Sequence, residues 1–398
     1  MKRRLFLIIG IVLLLCGCGG SDELDPFSGK SYVQPATGLG NGWNLGNTLD
    51  ACYYGDKSNA GLGTETSWGA PTTTQAMIQA VATKGFKTIR IPVSWHNHIT
   101  EETNYTIDSN WMARVKTVVD WSLAAGMSVI INIHHDNMAE NAQLAKKNDS
   151  MSMNYGFCVP ESASSPLKAK SREYIVAIWK QVAAAFKEYD ERLVFELLNE
   201  PRCVGTSYEW YGSGSPISNA NKIICEYEKA ALDAIRAVGG KNVSRTIMIP
   251  PYVASPGTTS GWSLPADTGT GKLIISMHAY TPSNFCLGNS SGKTYSERGS
   301  VDYLFNTQLT AWTREGHSVV IGEMGASDKN NLSEREKWFT HFCGKARDSN
   351  ISVILWDNMT IAKESGGNGN INSGECHGYL NRNARTWYFP TLINEMVK

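Results

Sequence analysis

The stretch Leu-Val-Phe-Glu-Leu-Leu-Asn-Glu-Pro-Arg, residues 193–202, decides the fold class of this chain. Its apolar first half predicts a short buried strand that ends before Asn-Glu-Pro. The stretch Ser-Val-Val-Ile-Gly-Glu-Met-Gly, residues 318–325, has the same form, an apolar run followed by Gly-Glu. We therefore expect Glu200 and Glu323 at the ends of two buried strands.

Further apolar runs extend this pattern over the whole chain. The predicted strands cover 42–45, 88–92, 128–133, 193–198, 246–249, 273–277, 318–321 and 352–356. Amphipathic segments between most of them predict helices over 72–84, 109–125, 168–189, 219–238, 301–314, 333–348 and 385–396. Strands that alternate with helices pair in parallel, and about eight such repeats close a barrel.

The predicted fold class is therefore α/β, a (β/α)8 TIM barrel with long loops at the C-terminal ends of the strands. Those loops cover 137–166, 202–217, 250–271 and 361–384. In this fold the loops that follow the strands build the functional site.

The first residues are predicted to direct export. Lys2-Arg3-Arg4 and the apolar run 5–15 have the charge and length of a secretory signal. Leu-Cys-Gly-Cys at 15–18 resembles a bacterial lipobox with Cys18 as the lipidated residue, and Cys16 or an uncleaved anchor are the alternatives. The predicted division is a signal peptide over 1–17, a flexible tether over 18–37 and a single (β/α)8 catalytic domain over 38–398.

Ser21-Asp22-Glu23, close behind Cys18, looks like the acidic export tag of surface lipoproteins in Bacteroidetes. We therefore expect a lipoprotein attached through Cys18 to the outer membrane of a bacterium, on the cell surface or facing the periplasm.

Composition excludes one class of partner and leaves the cysteines unassigned. The chain balances 37 basic against 37 acidic residues and has no basic run beyond its start, so we expect no nucleic-acid partner. Beyond Cys16 and Cys18, the cysteines are odd in number and lack the close spacing of a metal knuckle. One pairing that export would allow is Cys158 with Cys203. We expect a monomer with no cofactor and no metal.

Side chains that can hydrogen-bond or stack accumulate where the predicted strands end. They are Asn44, Arg90, His134, His135, Asp136, Asn199, Glu200, His278, Tyr280, Glu323 and Trp356. A barrel would bring most of them to one mouth. Two carboxyl groups at one mouth suit the hydrolysis of a glycosidic bond, because one protonates the leaving oxygen while the other attacks the sugar or activates water.

Other carboxylates are interpreted differently. Glu196 shares the inward face of its strand with Glu200 but lies deeper, where a buried charge needs a partner, and Arg90 is the predicted one. The loop carboxylates Asp50, Asp136 and Glu375 are interpreted as solvated or capping groups.

From about residue 40 onward the chain resembles glycoside hydrolase family 5, the cellulase family, and most of all its fourth subfamily of endoglucanases, lichenases and xyloglucanases. The matching segments, in family order and spacing, are GWNLGNTLDA (42–51), IRIPVSW (89–95), VIINIHHD (129–136), FELLNEPR (195–202), MHAYTP (277–282), VIGEMGA (320–326) and LWDN (355–358). Met324 and Leu355 replace aromatic residues often found there, which bears on fine specificity.

The resemblance implies a retaining endo-β-1,4-glucanase that works by double displacement on a β-glucan polysaccharide. It assigns Glu200 as acid/base and Glu323 as nucleophile, supported by Arg90, His134, Asn199, His278 and Tyr280. Retention requires carboxyl groups about 5–5.5 Å apart and a Glu200 that holds a proton while Glu323 is ionised. Arg90 and Tyr280 are expected to favour the charged form of Glu323.

Substrate binding is expected from polar and aromatic residues around this pair. Asn44 and His135 are predicted to bind sugar hydroxyls. Aromatic rings match the apolar faces of sugars, so Trp356 is predicted to stack on the sugar. Trp68, Trp210 and Trp262 lie in loops after strands and are predicted as further platforms.

Three alternatives remain open at this point. The first is another β-linked backbone, xyloglucan before mannan. The second is a non-catalytic surface glycan-binding lipoprotein. The third is a metal-dependent barrel hydrolase that uses His134, His135 and Asp136 with His278, although neighbouring strand histidines point apart.

Overall fold

Eight parallel strands form a closed barrel in the computed structural model, which describes residues 37–54, 59–147 and 155–398. The strands are β1 (Gly42–Asn44), β2 (Thr88–Ile91), β3 (Ser128–Asn132), β4 (Leu193–Glu196), β5 (Ile247–Ile249), β6 (Leu273–His278), β7 (Ser318–Met324) and β8 (Ser352–Leu355). Each pairs with the next, and β1 also pairs with β8. This confirms the predicted (β/α)8 barrel. The predicted signal peptide, Cys18 and nearly all of the tether lie outside the described residues.

Helices separate most of the strands, as predicted. The α-helices are Gln75–Lys84, Ser109–Ala124, Ala142–Lys147, Leu167–Ala185, Ser215–Val238, Ser283–Cys286, Arg298–Tyr303, Thr310–Arg314, Leu332–Asp348 and Pro390–Met396, and a π-helical segment covers Leu304–Leu309. Short 3-10 turns lie at Gly61–Thr66, His96–His98, Gly240–Val243, Tyr252–Ala254, Ser290–Gly292 and Lys363–Ser365. No helix in these described ranges is long and apolar enough to cross a membrane.

The last helix begins later than predicted. It starts at Pro390, whereas the sequence pattern suggested 385. Thr386–Trp387 instead pairs antiparallel with Leu380–Asn381, and Arg385 turns the chain between them with a φ of 59°. A second small hairpin joins Ile99–Glu101 to Thr106–Ile107. Both hairpins lie outside the barrel sheet.

The barrel interior changes from apolar to polar along its axis. One aliphatic side chain from each of β3 to β8 packs in a lower layer: Ile130, Val194, Met248, Ile274, Val320 and Ile354. Two residues further along their strands, Asn132, Glu196 and Ser276 form a polar layer joined by hydrogen bonds. Because residues two apart share a face of a strand, this polar layer stands directly beneath the barrel mouth.

A β-bulge in β7 changes the direction of Glu323. Ser276 and Met277 of β6 pair with Val320 and Ile321, but His278 pairs with Glu323, so Gly322 is an extra residue in β7. Strict alternation from the inward-facing Val320 would point Glu323 out of the barrel. The bulge restores the inward direction, as bulges next to functional sites commonly do.

The suggested disulfide is not formed. Cys158 and Cys203 are both buried free thiols. Cys158 Sγ instead accepts a hydrogen bond from Ser171 Oγ at 3.7 Å. Burial raises the pKa of the Cys158 thiol to about 11, so it is an unreactive core residue.

Truncation of the lower layer tests its contribution to the barrel. Ile274 is fully buried. We expect Ile274→Ala to lower the free energy of unfolding by about 2–5 kcal/mol, because it removes buried methyl groups and leaves a cavity. Urea denaturation measures this, with the exposed Leu332→Ala as the control at about 0.5 kcal/mol or less. Equal losses in the two variants would contradict the assignment of this layer as core.

Candidate active site

Arg90 connects three strands at the barrel mouth, and it contacts both Glu196 of the polar layer and Glu323 above it. It is fully buried, and its Nη1 donates to Glu323 Oε1 at 2.7 Å and to Asn44 Oδ1 at 2.9 Å. Its Nε donates to Glu196 Oε2 at 2.8 Å, and its Nη2 donates to Asn199 Oδ1 at 2.7 Å. The predicted pairing of Arg90 with Glu196 is confirmed. One cation thus offsets the charges of two buried carboxylates.

The two candidate catalytic carboxylates converge above this guanidinium. Glu200, Glu323 and His278 each have one polar atom within 4.8 Å of the others. His278 Nδ1 lies 2.7 Å from Glu200 Oε1 and 3.6 Å from Glu323 Oε2. Tyr280 donates its hydroxyl to Glu323 Oε2 at 2.9 Å. Burial and then the Glu323 charge raise the pKa of Tyr280, so this hydroxyl keeps its proton.

The charge of His278 controls the protonation of Glu200 and Glu323. Burial disfavours the charged ring, but Glu323 and Glu200 outweigh it and raise the pKa of His278. Burial would raise the pKa of Glu200, but the hydrogen bond and charge of His278 lower it overall. Burial raises the pKa of Glu323, which His278 and Arg90 only partly offset. With a charged His278, the pKa of Glu323 is therefore raised and that of Glu200 lowered. This is the reverse of the predicted order, in which Glu200 holds the proton and Glu323 is ionised.

A neutral His278 gives the predicted protonation states, a protonated Glu200 and an ionised Glu323. Its Nε2 is buried and has no hydrogen-bond partner among the residues that the structure describes, and an N–H⁺ group in that position would be costly. A neutral ring with its proton on Nδ1 still donates to Glu200 Oε1. Arg90, which contacts Glu323 and not Glu200, is then the decisive charge and favours ionised Glu323.

His134 is fixed as a hydrogen-bond donor toward the cleft. Asn132 Oδ1 accepts from the backbone N–H of Val93 at 3.1 Å, so Asn132 Nδ2 is the donor that lies 3.1 Å from His134 Nδ1. Burial, followed by the charges of neighbouring His135 and Arg90, lowers the pKa of His134 well below its usual value. A neutral ring that accepts at Nδ1 carries its proton on Nε2.

These assignments also bear on metal binding. The ligand set His134, His135, Asp136 and His278 does not assemble, because Asp136 accepts hydrogen bonds from His96 and from the Tyr174 hydroxyl. Asp50, His134 and His135 do place polar atoms within 4.8 Å of one another. A metal ligand needs an unprotonated ring nitrogen, however, and His134 carries its proton on Nε2 while its Nδ1 accepts from Asn132.

A cleft of about 510 Å³ opens over the carboxylate pair. Of the predicted site residues, it is lined by His134, His135, Asn199, Glu200, Trp210, His278, Tyr280, Glu323 and Trp356. Trp356 stacks on His134 with ring centroids 5.9 Å apart and an interplanar angle of 6°. Arg90 can only donate, so it holds Asn199 Oδ1 and leaves the Asn199 amide nitrogen as a donor for a ligand.

Three predicted sugar contacts are placed elsewhere. Asn44 is fully buried and donates to Gly322 O at 3.0 Å, so it supports the barrel instead of lining the cleft. Trp262 is also buried, and it donates to Glu228 Oε2 at 3.0 Å. Trp68 lies next to the cleft beside His135, with ring centroids 5.3 Å apart, and is not among the lining residues. The exposed Trp210 lies under the Arg202 guanidinium, 4.0 Å from the ring centroid.

Several lining residues were not predicted as part of the site. They include Tyr211, Val253, Leu287, Gln308, Glu375 and His377. All lie in loops or helices beyond the strand ends, so alternation along a strand could not identify them. For Tyr211, Val253, Glu375 and His377, only the length and the Gly, Ser and Asn content of the predicted loops gave a signal that these segments face the site.

Comparison with known proteins agrees with this geometry. The model of the cellulase family (glycosyl hydrolase family 5) matches residues 54–360. Endoglucanase A of Clostridium longisporum is 36% identical over 385 residues, which cover 94% of this chain and 67% of that protein.

Solved structures agree as well. A family 5 lichenase mutant from Caldicellulosiruptor sp. F32 in complex with cellotetraose is 35% identical, with a TM-score of 0.79 and coverage of 92% of this chain and 96% of that one. A GH5-4 broad specificity endoglucanase from Ruminococcus champanellensis with bound cellotriose is 34% identical, with a TM-score of 0.76 and coverage of 91% and 96%. XEG5A, a xyloglucan-specific endo-β-1,4-glucanase from a metagenomic library, is 33% identical, with a TM-score of 0.76 and coverage of 90% and 96%. These matches show that the chain is a glycoside hydrolase that belongs to family 5, the cellulase family, within its subfamily 4.

Proposed function

We propose that the protein is a retaining endo-β-1,4-glucanase that hydrolyses internal bonds of cellulose-type and mixed-linkage β-glucan. The observation that carries this proposal is the carboxylate pair, with oxygens of Glu200 and Glu323 within 4.8 Å of each other. This separation suits a retaining enzyme, whereas inversion needs about 6.5–9.5 Å between the carboxyl groups to leave space for a water molecule.

In the first step, Glu323 attacks the anomeric carbon while Glu200 gives its proton to the glycosidic oxygen. The bond between that carbon and oxygen breaks, and an ester between the sugar and Glu323 forms. Arg90 and Tyr280 hold the two carboxylate oxygens of Glu323 at 2.7 and 2.9 Å and so aim the nucleophile. The Asn199 amide can donate to the sugar 2-hydroxyl, a contact that strengthens in the transition state.

In the second step, Glu200 removes a proton from water, which attacks the anomeric carbon and releases Glu323. Esterification removes the negative charge of Glu323, so the pKa of the neighbouring Glu200 falls and its ionised form becomes the base. Two inversions at the same carbon give net retention.

The preferred polymer is inferred from the aromatic residues of the cleft and from the substrates named for similar proteins. The exposed rings of Trp210 and Tyr211 at the cleft wall offer flat surfaces for an extended chain. The similarity to a lichenase that binds cellotetraose and to an endoglucanase that binds cellotriose supports unbranched β-glucans as the first candidates for the substrate. Xyloglucan is the second candidate, supported by the similarity to XEG5A, and mannan is the third.

Reducing-end release from barley glucan, carboxymethylcellulose, xyloglucan and mannan tests the proposal. We expect release from the first two, and a loss of about a thousandfold or more in Glu323→Gln and Glu200→Gln because each removes a reacting group. Glu364→Gln, an exposed loop carboxylate outside the cleft, is the matched control. A wild-type protein that binds these glucans and releases nothing would establish the glycan-binding alternative instead.

The anomeric configuration of the first product tests the carboxylate separation. NMR spectra recorded during hydrolysis of a cello-oligosaccharide should show the β-anomer before mutarotation, because two displacements preserve the configuration. Early appearance of the α-anomer would mean that water attacks directly and that the ester does not form.

We also propose that the enzyme is a monomer carried as a lipoprotein on the outer membrane of a bacterium. The lipobox-like segment at 15–18 and the acidic residues behind it support this location. A surface position would bring the cleft to polymers too large to enter the cell.

Paired cysteine variants test the anchor. We expect Cys18→Ala to abolish incorporation of an alkyne-labelled fatty acid and to release the protein from the membrane fraction, because the acyl chains supply the membrane affinity. Cys16→Ala should change neither result. Labelling that depends on Cys16 would refute the assignment of Cys18.

A further inference from the structure

A third carboxylate, that of Glu375, faces the cleft beside the catalytic pair. Glu375 lies in the loop after β8 and lines the same cleft as Glu200, Glu323 and Tyr280. Its side chain is exposed and forms no hydrogen bond or ion pair with any described residue. The sequence suggested only a solvated loop residue, and its position over the active site was not predicted.

The backbone around Glu375 is fixed by close packing on one side. Gly374 has a φ of 75°, and a Cβ atom there would lie 1.9 Å from the backbone oxygen of Leu287. Only glycine allows the two loops to approach so closely with this backbone conformation.

Hydrogen bonds fix the other side of the loop. The backbone oxygen of Glu375 accepts from Asn358 Nδ2 at 2.8 Å. The backbone N–H of Cys376 donates to Ser327 Oγ at 3.1 Å, and its carbonyl accepts from the backbone N–H of Asp328 at 2.7 Å. The loop therefore presents a carboxylate on a rigid support, and no side chain of the described residues pairs with it. Preorganised groups of this kind are suited to contact a ligand.

The surroundings of Glu375 couple it to the catalytic pair. The titratable groups that line the cleft with it are His134 and His135 after β3, Glu200 after β4, Tyr211 in the loop that follows, His278 and Tyr280 at β6, Glu323 in β7 and His377 in its own loop. Burial lowers the pKa of His377 to about 3, so that ring is neutral. Desolvation of the Glu375 carboxyl inside the cleft raises its pKa, and the charges of Glu323 and Glu200 raise it further.

We propose that Glu375 is a substrate-binding carboxylate that accepts hydrogen bonds from hydroxyl groups of the bound glucan next to the scissile bond. The proposal rests on the proposed function, because it takes a neutral polysaccharide as the ligand of the cleft. Vicinal hydroxyls of a glucosyl unit are donors that match a carboxylate unpaired within the described part of the chain, and charged acceptors form the stronger hydrogen bonds.

The charge of Glu375 has two further effects. A negative group near the anomeric carbon favours the positive character of an oxocarbenium-like transition state. The interaction of Glu375 with Glu200 is mutual, so a charged Glu375 also disfavours loss of the Glu200 proton. Acid catalysis therefore extends to higher pH than it would without this residue.

Binding measured without turnover tests the contact. In a Glu323→Gln background, calorimetry with cellotetraose should show about 5- to 50-fold weaker affinity when Glu375→Gln is added, and no change when Glu364→Gln is added. Glu375→Asp, which keeps the charge but withdraws it by one methylene group, should also weaken binding. Equal affinity in all four proteins would overturn the proposal. Failure of the Glu323→Gln protein itself to bind cellotetraose would refute the proposed function together with this inference.

The pH dependence of kcat/KM distinguishes the effect of the Glu375 charge on the Glu200 proton from the contact of Glu375 with the sugar. In Glu375→Gln, the alkaline limb should move to lower pH, because removal of a negative charge lets Glu200 lose its proton more readily. Glu375→Asp and Glu364→Gln should keep the wild-type limb. An alkaline limb that stays in place in Glu375→Gln would overturn the electrostatic effect, and a lowered melting temperature with unchanged pH dependence would indicate a structural role.

Discussion

The need to neutralise Arg90 inside the barrel organises the whole active site. A fully buried guanidinium is tolerable only when most of its donors are paired, and here they reach residues on β1, β4 and β7 as well as Asn199 beyond β4. Loss of Arg90 would leave Glu196 and Glu323 as buried charges without a cation. Stability of the upper barrel and the ionised state of Glu323 therefore depend on one ion-pair network.

His278, which lies next to this ion-pair network, determines which of the two catalytic carboxyl groups holds the proton. Its Nδ1 and Glu200 Oε1 are 2.7 Å apart, so the ring and the carboxyl group titrate as a unit. The unpartnered Nε2 favours the neutral ring, which returns the proton to Glu200. The arrangement explains how an acid can stay protonated near Arg90, because, of the two catalytic carboxyl groups, the guanidinium contacts only that of Glu323.

Much of this architecture could be predicted from sequence, because buried parallel strands are continuous apolar runs and their ends mark the barrel mouth. Glu200, Glu323, His278 and Tyr280 were identified in this way. Residues placed by tertiary contacts could not be. Glu375 reaches the cleft only through the packing of Gly374 on Leu287 and the bond to Asn358. Asn44 and Trp262 have the composition of sugar contacts, yet partners inside the fold bury them.

The β-bulge at Gly322 determines the direction of the nucleophile independently of the rest of the barrel. The apolar layer, the loops and the aromatic walls do not depend on it, yet the inward direction of Glu323 does. In a regular strand of the same sequence, the Glu323 carboxylate would point out of the barrel, away from the cleft. One local irregularity of the backbone thus separates a barrel that can cleave a polysaccharide from one that could only hold it.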